Sequence, residues 1–397
     1  MNKAFAVAAV CGGLVMATNG LTTGCSGVFY TPVCAELGFY RGTFAFHATL
    51  LQLMIAAGTF FVPWLYRKLP FKAVLAGSVL IAVTATGLMG QVKSLAAFYA
   101  LSLVRGAATA AFATIPINHL LNAWFTKGFG TAARLVFCGT GVGAAGGALL
   151  LTNVIQAHGW RTAYAVLGLL ILACCLPAIL LPYKDDPAAE GRVPYGGLAE
   201  TVKKAGKTLL HRVDGPVALA MLMTLICGFI TAFSQHFTGY AESVGLAAAG
   251  AGMLSAAMIG NIASKLVIGP LSDRKGAITA VMVMFAVCTA GMLAIPLGRS
   301  TLWLWAGAFF YGSCNAVTAV GLSLLIRRWY GQSGFDSVFP YLNLAGNAGA
   351  AMALAIIGYI YDFTRSYLLV VAVCTAFAAL AAGLILALDK KHLGTHR

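Results

Sequence analysis

Long apolar stretches alternate with short polar groups along the whole chain. Each stretch holds about 20 or more mainly apolar residues, which is the length an α-helix needs to cross the hydrocarbon core of a bilayer. The pattern predicts an all-α polytopic membrane protein with twelve transmembrane helices. Their approximate ranges are 5–33, 42–66, 71–91, 95–122, 131–157, 161–182, 215–240, 246–271, 277–297, 301–327, 336–360 and 366–388.

A polar segment at 184–214 separates the first six helices from the last six. It predicts an N-terminal six-helix bundle at 1–183, a cytoplasmic linker, and a C-terminal six-helix bundle at 215–397. The halves resemble each other: PWLYRKLP (63–70) lies between the second and third helices of its half, as GPLSDRKG (269–276) does in the other. Two six-helix pseudo-repeats are typical of secondary transporters that work by alternating access.

The composition argues against a soluble protein and against a nucleic-acid-binding role. Hydrophobic residues make up 60% of the 397 residues and charged residues only 9%, too few to cover a water-exposed surface. The net charge of +15 comes mainly from alternate connections, the two ends of the chain and the linker. By the positive-inside rule, both termini and the linker are therefore expected to be cytoplasmic, with the basic residues facing anionic lipid.

Lys265 is one of two charged residues that the pattern places at membrane depth; Arg105 is the other. A lysine near the middle of a membrane helix costs about 2.5–3.5 kcal/mol on insertion scales, so it normally faces a cavity or a partner. Asn261 lies one helical turn before Lys265 on the same face, and Ser264 directly precedes it. Apart from Asp336, at the first position of its segment, no acidic residue falls within a predicted apolar segment, so we expect Lys265, Asn261 and Ser264 to bind an anion.

GPLSDRKG resembles the signature loop of the major facilitator superfamily, whose pattern is glycine-x-leucine-x-aspartate-arginine-x-glycine. The resemblance implies a fold of two six-helix bundles and a conformational latch formed by Gly269, Asp273, Arg274 and Gly276. In the first-half copy the aspartate is replaced by arginine and the second glycine by proline. The latch is therefore expected in the second half only.

Three further segments resemble one branch of that superfamily, the monocarboxylate porters and oxalate/formate antiporter-like bacterial proteins. They are GVFYTPVCAELGFYRGTF (27–44), NAWFTKGFGTAARLVFCGTGVG (122–143) and GYIYDFTRSY (358–367). In that branch an arginine in helix eight binds the substrate carboxylate, and Lys265 occupies its position. Proton-coupled relatives often carry an aspartate where this chain has Asn261. Lysine lacks the bidentate fork of arginine, so recognition of a carboxylate is expected to be looser.

Other candidate residues follow from the same resemblance or, for three histidines, from the residue type. Arg105 is similar to an arginine of many facilitators and is a candidate cavity residue; bonding to backbone carbonyls is the alternative. Helices one, four, seven and ten line the cavity in this superfamily, which makes Asn19, Tyr311 and Asn315 candidate lining residues, with interhelical packing as the alternative. Three histidines at predicted membrane depth are candidates for proton coupling, with hydrogen-bonded packing as the alternative. They are His47, His119 and His236, the last in the most polar surroundings.

These observations predict a secondary active transporter of the plasma membrane, expected in a bacterial inner membrane, that acts as a monomer. The favoured substrate is a small organic anion, a monocarboxylate such as lactate or pyruvate, moved by alternating access with proton symport or anion exchange. The alternatives are an oxalate/formate-type or other organic anion exchanger, and a non-transporting sensor on the same fold. An oxalate exchanger would carry a lysine in helix eleven, which this chain lacks. We find no nucleophile motif, acid pair or metal cluster, so no enzyme activity, metal or cofactor is predicted.

Overall fold

The computed structural model describes residues 3–125, 129–196 and 214–395. Throughout these ranges the chain is helical, and its β structure is limited to an isolated bridge between Phe125 and Tyr195. The all-α prediction is therefore confirmed.

Fifteen α-helices form in the described ranges. In the first half they are α1 (Lys3–Val15), α2 (Tyr30–Leu37), α3 (Arg41–Lys68), α4 (Phe71–Met89), α5 (Leu95–Phe112), α6 (Thr114–Trp124) and α7 (Phe129–Leu180). In the second half they are α8 (Gly215–Ala232), α9 (Phe237–Ser243), α10 (Gly250–Lys275), α11 (Ala277–Leu297), α12 (Thr301–Tyr311), α13 (Ser313–Ala316), α14 (Leu322–Thr364) and α15 (Leu368–Thr395).

The number of membrane crossings agrees with the sequence pattern. Ten helical spans of the described chain are long and apolar enough to cross a bilayer, and α3, which bends by 55° near Gly58, adds an eleventh. One of the ten, Leu135–Leu180, has 46 residues, which at 1.5 Å per residue is about 69 Å, over twice the hydrocarbon thickness. It breaks at Gly159, whose φ of 80° and ψ of 165° are not helical. Counting its two arms separately gives the twelve predicted crossings.

Several predicted helices are interrupted. The first predicted membrane helix contains a π-helical segment at Met16–Thr23 and a 3-10 turn at Ser26–Phe29. The tenth predicted membrane helix contains a π-helical segment at Val317–Gly321. A 3-10 turn at Phe233–His236 separates α8 from α9. By contrast, α14 runs on through 328–335, where the sequence predicts a connection. π segments insert one extra residue per turn and re-aim the side chains that follow, and they are frequent at functional sites.

Backbone contacts divide the chain into two compact units. The first unit is Met1–Gly38 with Phe46–Ala205, and the second unit is Phe39–Ala45 with Gly206–Arg397. In the first unit α7 packs on α1 and α4, and in the second α8 packs on α14 and α15 while α10 packs on α11 and α12. The sequence assigns residues 39–45 to the N-terminal bundle, whereas here they group with the second unit. The predicted three-part domain division stays a prediction.

The described part of the predicted linker forms hydrogen bonds with the first unit. Glu190 accepts hydrogen bonds from Lys3 Nζ and from the Lys184 backbone N–H, both at 2.6 Å. Partial burial raises the pKa of Glu190, but these bonds and the nearby charges of Lys3 and Arg192 outweigh it and lower the pKa below its ordinary value. The rest of the linker, residues 197–213, lies outside the described residues, as does Lys127, a basic residue of the connection between the fourth and fifth predicted helices.

Candidate functional site

The predicted anion site lies on α10 in the second unit. Asn261 is buried, with 3% of its surface exposed, and its side-chain oxygen Oδ1 has no hydrogen-bond partner among the described residues. Lys265, one turn further on, and Ser264 are half-buried. An amide oxygen buried without a partner costs about 1–3 kcal/mol, so such an atom calls for a water or a ligand. The three residues share one stretch of helix, as the sequence predicts.

Helix α10 packs against three consecutive elements, α12, α13 and the π segment Val317–Gly321. Together these form the tenth predicted membrane helix, at 301–327. Gly312 lies against the backbone of Asn261, where a larger residue would not fit. Asn315, a predicted lining residue, is half-buried in this region, and its side-chain nitrogen Nδ2 donates to the sulfur of Cys314 at 3.7 Å.

Tyr311 has a structural role in this unit. Its ring is fully buried, and its hydroxyl lies 2.6 Å and 3.0 Å from the carbonyl oxygens of Ile230 and Thr231. The same hydroxyl accepts a hydrogen bond from the backbone N–H of Ser234 at 3.2 Å. These contacts stabilise the junction at which α8 becomes a 3-10 turn. They match the packing alternative for Tyr311, and the lining role stays a prediction.

Arg105 lies on α5 in the first unit and is 2% exposed. Its Nη2 donates to the carbonyl oxygen of Thr22 at 3.2 Å, and its Nη1 lies 3.8 Å from the sulfur of Met89. Thr22 belongs to the π segment Met16–Thr23, which also holds the half-buried Asn19. Carbonyl bonding, the alternative for Arg105, is thus what the geometry shows.

The face of α5 that carries Arg105 keeps several unsatisfied polar atoms. Ser102 Oγ, Arg105 Nε and Thr109 Oγ1 are all buried and have no hydrogen-bond partner in the part of the chain that the structure describes. Because buried polar atoms are nearly always hydrogen-bonded, this face requires ordered water or a bound polar group.

The three candidate histidines occupy different surroundings. His47 is 3% exposed and packs edge-on against Tyr30. His236 is 1% exposed, and its Nε2 donates to the carbonyl oxygen of Leu354 at 3.0 Å. The contacts of His47 and His236 match the packing alternative, and the proton-coupling role stays a prediction. His119 is exposed and lies 3.9 Å from Asp185, in the segment that follows α7. Its role in proton coupling stays a prediction.

The predicted latch residues lie where α10 ends and α11 begins. Asp273 and Arg274 are exposed, and neither forms an ion pair with another described residue. Gly276 follows the last residue of α10 with φ 85° and ψ 157°, and its N–H donates to the Ser272 carbonyl oxygen at 2.8 Å. Gly269 lies inside the helix with open space beside it. The turn is thus fixed by Gly276, while the latch role stays a prediction.

Replacing Gly276 by alanine is expected to destabilise the protein by about 1–3 kcal/mol, since only glycine readily adopts its backbone conformation. The matched control is Gly269→Ala, which should leave the midpoint of thermal unfolding unchanged or slightly higher, because alanine favours the helix. Thermal unfolding of both variants, purified in detergent, checks this. Equal midpoints for the two variants would contradict it.

A charged cluster that the sequence analysis misses lies in the second unit, at the start of α3. Asp362 of α14 accepts hydrogen bonds from the backbone N–H groups of Arg41 at 3.0 Å and Gly42 at 2.8 Å. The Arg41 side chain donates to Glu242 at 2.6 Å and to the hydroxyl of Tyr367 at 3.1 Å. Asp362 therefore acts as an N-terminal cap for α3, supplied by a distant helix.

The sequence held a signal for this cluster. Arg41 and Asp362 both lie in segments quoted above for their resemblance to one branch, FYRGTF and YDFTRSY. Charged residues at the ends of apolar stretches are candidates for polar contacts between helices. Their separation of more than 300 residues, however, left the partner undetermined until the fold was known.

The second unit also contains a cavity of about 120 Å³, whose lining is mainly apolar. It lies among α8, the π segment Val317–Gly321, α14 and α15. Its polar lining consists of Thr224, Thr231, Thr318, Asn343 and Asn347, and none of the described lining residues is charged. Concave, mainly apolar sites with a few convergent polar groups are the usual form of small-molecule sites.

Comparison with known proteins identifies the family. The family model for the Major Facilitator Superfamily matches residues 12–324 and 239–397. An uncharacterized MFS-type transporter, YcxA of Bacillus subtilis (strain 168), is 24% identical over 284 residues, which is 68% of this chain and 66% of that protein, just under two thirds of its length.

Two crystal structures of the nucleoside transporter NupG have the same fold. One has a TM-score of 0.72 at 15% identity, and the match covers 98% of this chain and 99% of that one. The other, of a point mutant, has a TM-score of 0.70 at 14% identity, and the match covers 98% of this chain and 100% of that one. At such low identity the likeness shows the fold alone.

Proposed function

Because the chain belongs to the Major Facilitator Superfamily and is a membrane transporter of that type, we propose that its substrate is a small organic anion. A monocarboxylate of the lactate or pyruvate type is the favoured substrate, and Lys265 is its carboxylate-binding residue. The superfamily resemblance of the sequence is confirmed by the family match, whereas the monocarboxylate branch is part of this proposal.

The observation that carries the proposal is the arrangement of Lys265 and Asn261 on α10. A positive charge within a membrane span attracts an anion, and the buried Asn261 oxygen one turn away has no described hydrogen-bond donor. A 2-hydroxy monocarboxylate supplies both partners, since its carboxylate pairs with the ammonium and its hydroxyl donates to the amide oxygen. Ser264 offers a further hydroxyl. Lactate satisfies the donor requirement, and pyruvate satisfies only the ionic one.

Binding of the anion would neutralise a charge inside the membrane span. Moving a net charge through a low-dielectric environment is costly, and pairing lowers that cost. A transporter of this kind would change conformation readily when loaded and slowly when empty, which is the requirement for coupled transport. Slow reorientation of the empty protein favours anion exchange, whereas net proton symport requires that the empty protein also return.

The proposal includes the setting of the protein. The basic connections favour an orientation with both termini in the cytoplasm, and the bacterial relative favours a bacterial inner membrane. The protein is proposed to act as a monomer.

A neutral polar solute is the second candidate substrate. The observation that favours it is the uncharged, hydroxyl- and amide-lined cavity of the second unit. One protein with the same fold, NupG, is named as a nucleoside transporter, so uridine is a suitable probe for this class.

Counterflow in proteoliposomes tests the proposal and needs no assumption about coupling. Vesicles that contain the full-length protein are preloaded with unlabelled lactate, pyruvate, oxalate or uridine, and uptake of the same labelled compound is measured. Lactate and pyruvate are expected to exchange, whereas oxalate and uridine are not. Net lactate uptake driven by an inward proton gradient then separates symport from exchange. Exchange of uridine without lactate or pyruvate would overturn the proposal in favour of the second candidate.

A further inference from the structure

The mainly apolar cavity of the second unit contains two amides whose hydrogen-bonding groups are unused. Asn343 and Asn347 lie one turn apart on the same face of α14, and both side chains are exposed. Neither amide has a hydrogen-bond partner among the described residues. A primary amide at membrane depth offers two N–H donors and an acceptor, which cannot be left to hydrocarbon. The two amides therefore require water or a hydrogen-bonding ligand.

The three threonines of the cavity add acceptors. The hydroxyls of Thr224, Thr231 and Thr318 each donate to a carbonyl oxygen of the preceding turn at 2.7–3.1 Å. Their donors are therefore occupied, and their oxygen lone pairs are left facing the cavity. Together with the amides, they give a wall that both donates and accepts hydrogen bonds, which matches hydroxyl groups.

The absence of charge from the described lining determines the class of ligand. A carboxylate or ammonium that left water for this cavity would find no ionic partner among the described lining residues. An uncharged hydroxyl loses far less and regains its hydrogen bonds from the wall. The volume of about 120 Å³ has room for several water molecules or a short hydroxylated chain.

The register of two packed helices places Lys265 at the level of this cavity. Gly312 lies against the backbone of Asn261, and Gly321 lies against the side chain of Ile268. The two contacts show that α10 and the tenth predicted membrane helix run in the same direction. Lys265, which lies between Asn261 and Ile268, is therefore level with the residues between Gly312 and Gly321. Thr318, which lines the cavity, belongs to that interval.

We propose, on the basis of the function proposed above, that this cavity binds the uncharged, hydroxylated tail of the transported monocarboxylate. The carboxylate pairs with Lys265, and the hydroxyl groups of the tail bond to Asn343 and Asn347. The substrate class then extends from lactate to longer polyhydroxylated monocarboxylates, of which gluconate is a simple probe. Asn343 and Asn347 are the specificity-determining residues.

Competition against labelled lactate counterflow tests this assignment with three unlabelled compounds. Gluconate carries the carboxylate and the hydroxylated tail, hexanoate carries a carboxylate and an apolar tail of the same length, and lactate has no tail. Gluconate is expected to compete at least about tenfold more strongly than hexanoate, which corresponds to one or two good hydrogen bonds. In Asn347→Leu this preference should disappear, and gluconate should lose more affinity than lactate, which has no tail.

Two controls exclude a general packing defect. Asn347→Gln keeps the amide and should retain a preference for gluconate, and Asn122→Leu removes an amide in the first unit and should leave the preference unchanged. Gluconate that competes no better than hexanoate in the native protein overturns the assignment, as does an equal loss of lactate and gluconate in Asn347→Leu.

The proposed function and the cavity assignment can fail separately. Lactate exchange without any gluconate preference retains the transporter of short monocarboxylates and overturns the cavity assignment. Absence of exchange with every carboxylate overturns the proposed function. In that case, counterflow of uridine that is lost in Asn347→Leu and retained in Asn122→Leu would support the cavity as a site for uncharged hydroxylated groups.

Discussion

Lys265→Ala is expected to reduce lactate counterflow by about 100-fold or more. Removing one partner of a desolvated ion pair leaves the other charge uncompensated, at a cost of about 3–5 kcal/mol, and each 1.4 kcal/mol is a factor of ten in affinity. The measurement is the initial rate of labelled lactate exchange over a range of lactate concentrations, so that a loss of affinity is separated from a loss of turnover.

The chain offers a matched control on the same helix. Lys275, the last residue of α10, is an exposed lysine, and Lys275→Ala should leave exchange unchanged. Lys265→Arg keeps the positive charge with a planar fork in place of the ammonium, and should retain more exchange than alanine does. If Lys265→Ala exchanges lactate as fast as the native protein, the assignment is wrong and Arg105 becomes the next residue to test.

Asp362→Ala is expected to release the first turn of α3. Its carboxylate accepts the N–H groups of Arg41 and Gly42, so the substitution leaves both donors without their acceptor. Loss of a helix N-terminal cap costs about 0.5–2 kcal/mol, which predicts about 2- to 30-fold faster amide hydrogen exchange in this turn. Mass spectrometry of peptides that cover residues 39–45 measures the exchange directly.

Two variants make this test specific. Asp362→Asn keeps one side-chain oxygen and should produce a smaller increase in exchange. Asp273→Asn changes an exposed carboxylate that has no described ion-pair partner, and should not alter exchange in 39–45. Unchanged exchange in Asp362→Ala would show that the Arg41 contacts to Glu242 and Tyr367 hold the segment without the cap. Lactate counterflow is measured for the same variants. The reason is that α3 begins in the second unit and continues into the first, so a change at its first turn can affect transport.

The sequence predicted the helices well because the bilayer imposes a simple rule. A span needs about 20 apolar residues, and every backbone hydrogen bond in it must be made locally. Both constraints act on contiguous sequence. For the same reason the shared face of Asn261 and Lys265 could be predicted, since residues four apart in a helix are always neighbours. The glycine at the end of the signature loop likewise marked a turn, which the positive φ of Gly276 explains.

Other features could not be predicted, because they depend on residues far apart in the chain. The hydroxyl of Tyr311 bonds to carbonyl groups some 80 residues away, at the end of α8. His119 lies 3.9 Å from Asp185 of the linker, a partner on a different segment of the chain. The cap that Asp362 provides for α3 joins residues 321 apart in sequence. Periodicity carries no information about such pairings.

The sequence by itself determined the all-α membrane fold, the number of crossings and the position of the one lysine on which the proposed function depends. These follow from the cost of exposing polar groups to hydrocarbon, which acts residue by residue along each helix. Only the tertiary structure decided where the helices break, which carboxylate caps α3, and that five uncharged polar side chains converge on one cavity. These follow from packing between helices, in which the energy depends on which surfaces meet.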